Sequence, residues 1–280
     1  MKTILLPTDF SDNAWNAIVY ALKLFKDEMC TFHILHTYTP IVYQVEYVPI
    51  GPAQYGLLDA IKETSETKMN TLMERIKEQF NNPKHSFETK NVFNTLISEI
   101  KDFTEKNKID YVVMGTKGAT GAKEILFGSN TVHVFKSLKC PVLAIPEHFD
   151  FEYPTEVLFP SDYEVHFKDR HLKPILNIVN AFKSRLNILH VSYGYELSDI
   201  QHENKSILMD YFKKVKPLFH DVANEKVSDA IDKFQMKTKI NLLVMINNKH
   251  SFFENLFFKS TLKQIGFHLH VPLLVIPSQQ

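Results

Sequence analysis

The chain is poor in cysteine and has no net charge. Its 280 residues include two cysteines, and 32 basic residues balance 32 acidic ones. Cys30 and Cys140 lie beside predicted strands, so we interpret them as buried thiols rather than a disulfide, and we predict a cytoplasmic protein. A neutral chain gives no electrostatic reason to expect nucleic acid or an anionic membrane as a partner.

Long apolar runs are also missing. None approaches the roughly 20 residues that span a bilayer. The first residues, Met1 to Pro7, lead directly into a strand pattern, so we expect neither a membrane span nor a signal peptide. A hydrophobic content of 44% still supports buried cores, and the length suits two domains.

Glycine is scarce, and half of it is concentrated in one place. Four of the eight glycines fall in the 14-residue window 115–128. The apolar, β-branched run 109–114 before it predicts a buried parallel strand, and 129–138 after it predicts a helix. A glycine-rich loop between a strand and a helix N-terminus can point backbone N–H groups at an anion. The alternative is that the glycines only form a tight turn.

The sequence repeats itself. Leu6-Pro7-Thr8-Asp9 recurs as Phe159-Pro160-Ser161-Asp162, and the stretch 140–146 recurs as 271–277. The first pair is offset by 153 residues and the second by 131, so the second copy is about 22 residues shorter in its middle (153 − 131). We predict two homologous domains, a first repeat at 1–147 and a second repeat at 154–280.

Short apolar strands alternate with helical patterns in each repeat. This alternation predicts an α/β fold, with a parallel sheet of five strands and four helices per repeat covering both faces. The second repeat starts its strands at Val157 and has a weak third strand near Asp221. In the first repeat the expected strands are 3–7, 31–37, 86–90, 109–114 and 142–145, and the helices are 12–26 capped by Ser11 or Asp12, 57–80, 94–106 and 129–138. Residues 40–56 are expected to form an ordered loop, packed on its own domain, closing over a nucleotide or docking a partner.

Two loops of the first repeat are expected to meet where ligands bind open α/β sheets, beyond the carboxyl ends of the strands. One follows the first strand and contains Asp9, whose carboxylate suits nucleoside hydroxyls or ring nitrogens. The other contains the glycines, followed by Ser129 and Thr131, whose hydroxyls could donate to phosphate. The spacing is neither a Walker A loop nor a dinucleotide-binding Gly-x-Gly-x-x-Gly.

Three stretches together resemble the universal stress protein family. They are the glycine pattern Gly115-x2-Gly118-x9-Gly128-Ser129, the start Ile-Leu-Leu-Pro-Thr-Asp-Phe-Ser at 4–11, and the end Lys-Cys-Pro-Val-Leu-Ala-Ile-Pro at 139–146. The match covers the first repeat and, more weakly, the second, so the chain resembles a tandem member. The resemblance implies doubly wound domains with strand order 3-2-1-4-5, and the ATP-binding branch of the family.

By the same resemblance, specific residues would bind ATP, with Mg²⁺ as an accompanying ion. Asn130 replaces the aliphatic residue of many members, and Lys117 is not the commonest choice at its position. Neither departure breaks the motif. The nucleoside end would be lined by Pro7, Thr8 and Asp9, adenine would meet the backbone of Thr37, and ribose and phosphates would be held by Met114, Gly115, Gly118, Gly128, Ser129, Asn130 and Thr131.

The second repeat has lost this motif. Ile246, Lys249 and Lys259 stand where the first repeat has Gly115, Gly118 and Gly128, although Ser260 and Asp162 remain. Side chains would replace the bare backbone that a phosphate needs, so we predict one ATP per chain. A looser anion site on the two lysines is the alternative. The nearby aromatic cluster 252–258 either fills the lost pocket or forms an interface.

No nucleophile–base pair, paired carboxylates or metal-ligand spacing is present, and His36 and His190 are expected to be hydrogen-bonded core residues. We therefore favour a regulatory or protective nucleotide-binding protein of the stress response over an enzyme. Two alternatives stay open. One is a slow ATPase or autophosphorylating protein with Ser129 or Thr131 as acceptor, and the other is a nucleotide-free scaffold for a protein or apolar ligand.

The strands 142–145 and 273–276 are expected to pair the two repeats as a pseudo-dimer within the chain. A further homodimer is left open.

Overall fold

The structure is a computed structural model that describes residues 1–38, 52–117, 127–192, 194–248 and 270–278. Contacts divide the chain into two compact units, Met1–Cys140 and Pro141–Gln280. This division falls a few residues before the end of the first repeat, because the last strand of that repeat belongs by its contacts to the second unit. The repeat boundary at 147 stays a prediction.

The first unit is a parallel sheet with helices between its strands. The strands pair in the order β3-β2-β1-β4, and each pairing is parallel. Its strands are β1 Lys2–Pro7, β2 Cys30–Tyr38, β3 His85–Phe93 and β4 Tyr111–Gly115, and its helices are α1 Asp12–Leu24, α2 Pro52–Gln79, α3 Leu96–Lys106 and α4 Ser129–Ser137.

The second unit is built in the same way. Five of its strands pair in parallel in the order β8-β7-β6-β9-β10, and β5, Val142–Ile145, is antiparallel to β10. The remaining strands are β6 Glu156–Pro160, β7 Arg185–Ser192, β8 Leu218–Ala223, β9 Leu242–Asn247 and β10 Leu273–Pro277, and the described helices are α5 Asp169–Phe182, α6 Asp199–Tyr211 and α7 Val227–Thr238. The predicted doubly wound α/β fold is confirmed.

Burial explains why the central strands are apolar. Every residue of β4 and residues 4–7 of β1 are buried, which is expected when helices cover both faces of a parallel sheet. On one face, Arg75 of α2 packs on Trp15 of α1, with the guanidinium carbon 3.8 Å from the ring centroid. On the other, Phe103 of α3 lies 5.1 Å from the ring of His33. The outer strand β3 is half exposed, and the predicted strand 86–90 stops three residues short of its end at Phe93.

The first residues of helices α1 and α2 can be compared with the starts predicted from the sequence. Ser11, not Asp12, caps α1, because its hydroxyl oxygen accepts the Ala14 N–H at 3.2 Å. Helix α2 begins at Pro52, so the end of the predicted 40–56 loop is helical, and proline fits a first helical turn because its missing N–H is not needed there. Residues 39–51 of that loop lie outside the described residues.

The cap of α6 gives a first prediction. Ser198 and Gln201 form a reciprocal capping box, in which the Ser198 hydroxyl accepts the Gln201 N–H at 3.3 Å. Ser198→Ala should lower the free energy of unfolding by about 1 kcal/mol, measured by urea denaturation. Ser206→Ala, in the exposed middle of the same helix, is the matched control and should change stability little. Equal effects of the two substitutions would contradict the cap assignment.

Candidate functional site

The loops after β1 and β4 lie at the point where the strand order of the first unit reverses. β1 pairs with β2 on one side and with β4 on the other, through Ile4 opposite Tyr111 and Leu5 opposite Val112. The chain leaves β1 toward α1 by the turn 8–11 and leaves β4 toward α4 by the loop 116–128. In an open α/β sheet this reversal opens a crevice at the carboxyl ends of the strands.

The turn 8–11 is fixed by the buried Thr8. The Thr8 N–H donates to the Leu35 carbonyl of β2 at 2.8 Å, and the Thr8 hydroxyl accepts the Phe10 N–H at 3.0 Å. Phe10 adopts a left-handed conformation with φ of 63°. The exposed Asp9 points one carboxylate oxygen at the N–H of Ser11, 3.0 Å away, and at its hydroxyl, 2.5 Å away. The turn therefore holds the exposed Asp9 just beyond the carboxyl end of β1.

His36 fastens this turn to β2. Its Nδ1 lies 2.7 Å from the Thr8 carbonyl oxygen, so Nδ1–H is the donor, and its ring centroid lies 4.3 Å from that of Phe10. Burial lowers the pKa of His36, while the Thr8 carbonyl and Asp9 oppose the shift. The prediction of a hydrogen-bonded histidine is confirmed. The sequence alone did not predict that His36 would bond to Thr8 in the turn after β1. The recurrence of His36 as His190 in the second repeat could have indicated a shared structural role.

The second unit has the same turn. The Ser161 N–H donates to Leu189 at 2.8 Å, the Tyr163 N–H donates to the Ser161 hydroxyl at 3.1 Å, and His190 Nδ1 donates to the Ser161 carbonyl at 2.9 Å. Tyr163 has a φ of 57° and stacks on His190. Because the turn survives without the glycine motif, it belongs to the architecture of the fold. A difference in ligand binding between the repeats must arise elsewhere.

The loop 116–128 is anchored at both ends. The Gly128 N–H donates to the Thr116 carbonyl at 2.8 Å, which closes its base. Thr131, which is 2% exposed, directs its hydroxyl at the carbonyl oxygens of Gly115 and Thr116, 3.2 and 3.1 Å away. Because a hydroxyl has one proton to donate, the expected hydrogen bond from Thr131 to a phosphate would have to replace these bonds to the backbone.

The N-terminus of α4 opens into the same region. Gly128 is its N-cap and, as a glycine, has no side chain that could cap the helix. Ser129 and Asn130 follow and are exposed. Backbone N–H groups of an uncapped first turn and the helix dipole together favour a negatively charged group.

The other expected site residues are buried, half buried or outside the described residues. Pro7 and Met114 are buried at the ends of β1 and β4, and Thr37 is half buried, two residues beyond the Leu35 that pairs with Pro7. Gly118 lies outside the described residues, as do Lys249, Lys259, Ser260 and the cluster 252–258. Ile246, at the position of Gly115 in the second repeat, is a buried residue of β9.

Gly115 has a packing reason to lack a side chain. A Cβ atom there would lie 2.7 Å from Nδ2 and 2.8 Å from Cγ of Asn13, the second residue of α1. Such distances are too short for ordinary contact, so Gly115 provides the space that Asn13 occupies. From the sequence, Gly115 was interpreted as a residue that lets phosphate approach the backbone, and Asn13 was not recognised as part of the site.

Within the described ranges, His, Cys, Asp and Glu nowhere form a group of three that could hold a metal ion. The helices in those ranges also include none that is long and apolar enough to cross a membrane.

Comparison with known proteins identifies one family. The sequence model of the universal stress protein family matches residues 1–146. The chain is 30% identical over 145 residues to universal stress protein MJ0531 of Methanocaldococcus jannaschii, covering 51% of this chain and 81% of that protein. It is 32% identical over 154 residues to MJ0577 of the same organism, covering 51% and 94%. The crystal structure of a universal stress protein from Archaeoglobus fulgidus covers 99% of this chain and 98% of its own, with 19% identity and a TM-score of 0.70, which shows a shared fold.

The lowered pKa of His36 predicts a pH dependence of stability. The unfolded chain binds the proton more readily than the folded protein. The contribution of His36 is therefore complete above the unfolded value of about 6.5 and is lost as the pH falls through the folded pKa. His36→Gln keeps an N–H donor but cannot titrate, so the fall in unfolding free energy between pH 7 and 5 should be shallower than in the wild type.

Urea denaturation at each pH measures this slope. His133→Gln, at an exposed position of α4, is the matched control for a change of histidine to glutamine. A His36→Gln slope that equals the wild-type slope would show that His36 is not the titrating group.

Proposed function

Because the chain belongs to the universal stress protein family, we propose that its first repeat, residues 1–147, binds one ATP at the carboxyl ends of β1 and β4. The second repeat, residues 154–280, binds none. The protein then acts as a nucleotide-binding regulatory or protective component of a stress response rather than as an efficient enzyme. The two repeats associate as a pseudo-dimer within the chain.

The uncapped N-terminus of α4 is the observation on which the proposal depends. Its first-turn N–H groups and the exposed hydroxyl of Ser129 offer donors to phosphate oxygens, with Asn130 beside them. The preceding loop is anchored at Thr116 and Gly128, so the donors stand on a fixed base. Gly118, inside that loop, has no side chain to obstruct the approach of a phosphate. Mg²⁺ bound with ATP would balance part of the phosphate charge.

The nucleoside half of the ligand is assigned to the turn 8–11 and its surroundings. The exposed Asp9 carboxylate can accept hydrogen bonds from ribose hydroxyls. Thr37 at the end of β2 offers backbone groups at the same edge, which suits adenine. Pro7, Thr8 and Met114 are buried there and form the floor.

The second repeat supports the proposal by contrast. It keeps the turn around Ser161 but has the buried Ile246 where the first repeat has Gly115. Helix α6 also reaches over that turn, because Gln201 donates to the Asp162 carbonyl and Asn204 to the Tyr163 carbonyl, both at 2.8 Å. Protein side chains thus occupy carbonyl oxygens at the place where a nucleoside would bind.

Regulation follows from a difference in affinity. If ATP binds better to one arrangement of the first repeat, its binding shifts the protein toward that arrangement and changes the surface offered to a partner. Autophosphorylation is the second candidate function, and the exposure of Ser129 favours it. The buried hydroxyl of Thr131 is a poor acceptor by comparison.

Isothermal titration of the nucleotide-free protein with ATP and Mg²⁺ tests the proposed function. We expect one site per chain. Gly118→Val should weaken binding at least about tenfold, equivalent to 1.4 kcal/mol, because a branched side chain blocks the backbone. Lys249→Val, at the matching position of the second repeat, is the control and should bind ATP as the wild type does.

Other outcomes separate the alternatives. Absence of heat and of an ATP-induced thermal shift in the wild type would leave the nucleotide-free scaffold. Two sites per chain would overturn the assignment of the second repeat. Labelling of the protein by γ-labelled ATP, lost in Ser129→Ala, would establish autophosphorylation.

A further inference from the structure

Asn13 is a buried polar residue at the reversal of strand order. It is the second residue of α1 and is 7% exposed. Polar side chains so thoroughly buried normally have every polar atom hydrogen-bonded, because an unpaired one loses its bond to water without replacement. The Asn13 amide departs from this rule, because only its nitrogen has a hydrogen-bond partner among the described residues.

One end of the amide crosses to the loop 116–128. Asn13 Nδ2 donates to the Lys117 carbonyl oxygen at 2.7 Å, a contact between residues 104 apart in sequence. Because the Lys117 carbonyl is only an acceptor, the atom facing it must be the nitrogen, which fixes the orientation of the amide. The bond ties the start of the loop to the first turn of α1.

The other end of the amide is not satisfied. Asn13 Oδ1 is buried and has no hydrogen-bond partner within the described part of the chain. The side chain is therefore not held there by a complete set of its own hydrogen bonds. The single bond to Lys117 and the recess above Gly115, where a Cβ would lie 2.7 Å from Nδ2, define its position.

We infer that Asn13 is a positioning residue for Thr116 and Lys117, which begin the loop proposed to bind phosphate, and that Gly115 is glycine in order to admit Asn13. This inference rests on the proposed ATP site. Asn13 holds the start of the loop, just as the Gly128–Thr116 bond and the Thr131 hydroxyl hold its end. Because Lys117 and the N-cap of α4 are held in place before the ligand arrives, less order has to be created on binding, which improves affinity.

The second unit lacks the recess. Ile246 fills the position of Gly115 and is buried in β9. Helix α5 begins at Asp169, seven residues after Asp162 (169 − 162), whereas α1 begins three residues after Asp9 (12 − 9). The helix start that supplies Asn13 and the glycine that receives it are therefore both absent where ATP is not expected to bind.

Two substitutions of Asn13 test the inference. Asn13→Ala removes the amide, and Asn13→Asp keeps the shape and Oδ1 but replaces the donor with an acceptor. Both should weaken ATP binding about tenfold, equivalent to 1.4 kcal/mol, and leave adenosine binding unchanged, because adenosine has no phosphate for the loop to hold. Asn16→Ala, on the same helix, is the control for a change in α1. A purely structural role of Asn13 would lower both affinities equally.

A double-mutant cycle tests the pairing of Asn13 with Gly115. Gly115→Ala should weaken ATP binding because the new methyl group displaces the Asn13 amide. In the Asn13→Ala background the same substitution should cost little, so the two effects should not add. Additive losses would show that Gly115 serves the ligand directly and would overturn the inference.

The outcomes distinguish the inference from the proposed function. If the wild type binds ATP and the Asn13 variants bind it equally well, the inference fails and the proposed function stands. If the wild type binds adenosine and ATP with equal affinity, the loop holds no phosphate and both fail. Thermal unfolding of each ligand-free variant verifies that it is folded.

Discussion

The parallel pairing of β1 with β4 is the constraint on which the first unit depends. It brings two distant chain segments side by side, and because their strands run in parallel, both following loops emerge at the same edge. One connection turns toward α1 and the other toward α4, so a crevice opens between them. Asp9, Asn13 and the base of the 116–128 loop acquire a common location only through this pairing. The chemistry proposed for the chain is a consequence of sheet topology.

Much of the fold could be predicted because it depends on local patterns. The apolar run of β4 and the Ser11 cap of α1 are visible in consecutive residues. Half-exposed β3 was predicted too short, since its alternation is weak. The tie between Asn13 and Lys117 could not be predicted, because it joins residues 104 apart and an asparagine after a helix start has no distinctive signal. The role of Gly115 was hidden for the same reason, since a missing side chain does not reveal what occupies its place.

Comparison of the two units separates architecture from specialisation. Both bind the carbonyl of their first-strand turn with a histidine, His36 or His190, and both place an aromatic residue in a left-handed conformation beside it. The two units share this turn, whereas the sequences that follow β4 and β9 differ. Buried apolar strands supply stability in both units, so a loop can change without loss of the fold. Two repeats with one fold can in this way differ in the sequences that follow corresponding strands.

The antiparallel partner of β5 has a consequence for biosynthesis. β5 leaves the ribosome with the first repeat, but its partner β10 begins at Leu273, 128 residues after Ile145 (273 − 145). Until then the apolar edge Val142–Ile145 has no β10 to pair with, and an unpaired strand edge is a template for the wrong neighbour. The second repeat therefore completes the first during synthesis. A chain truncated before β10 would expose an adhesive strand and be prone to self-association.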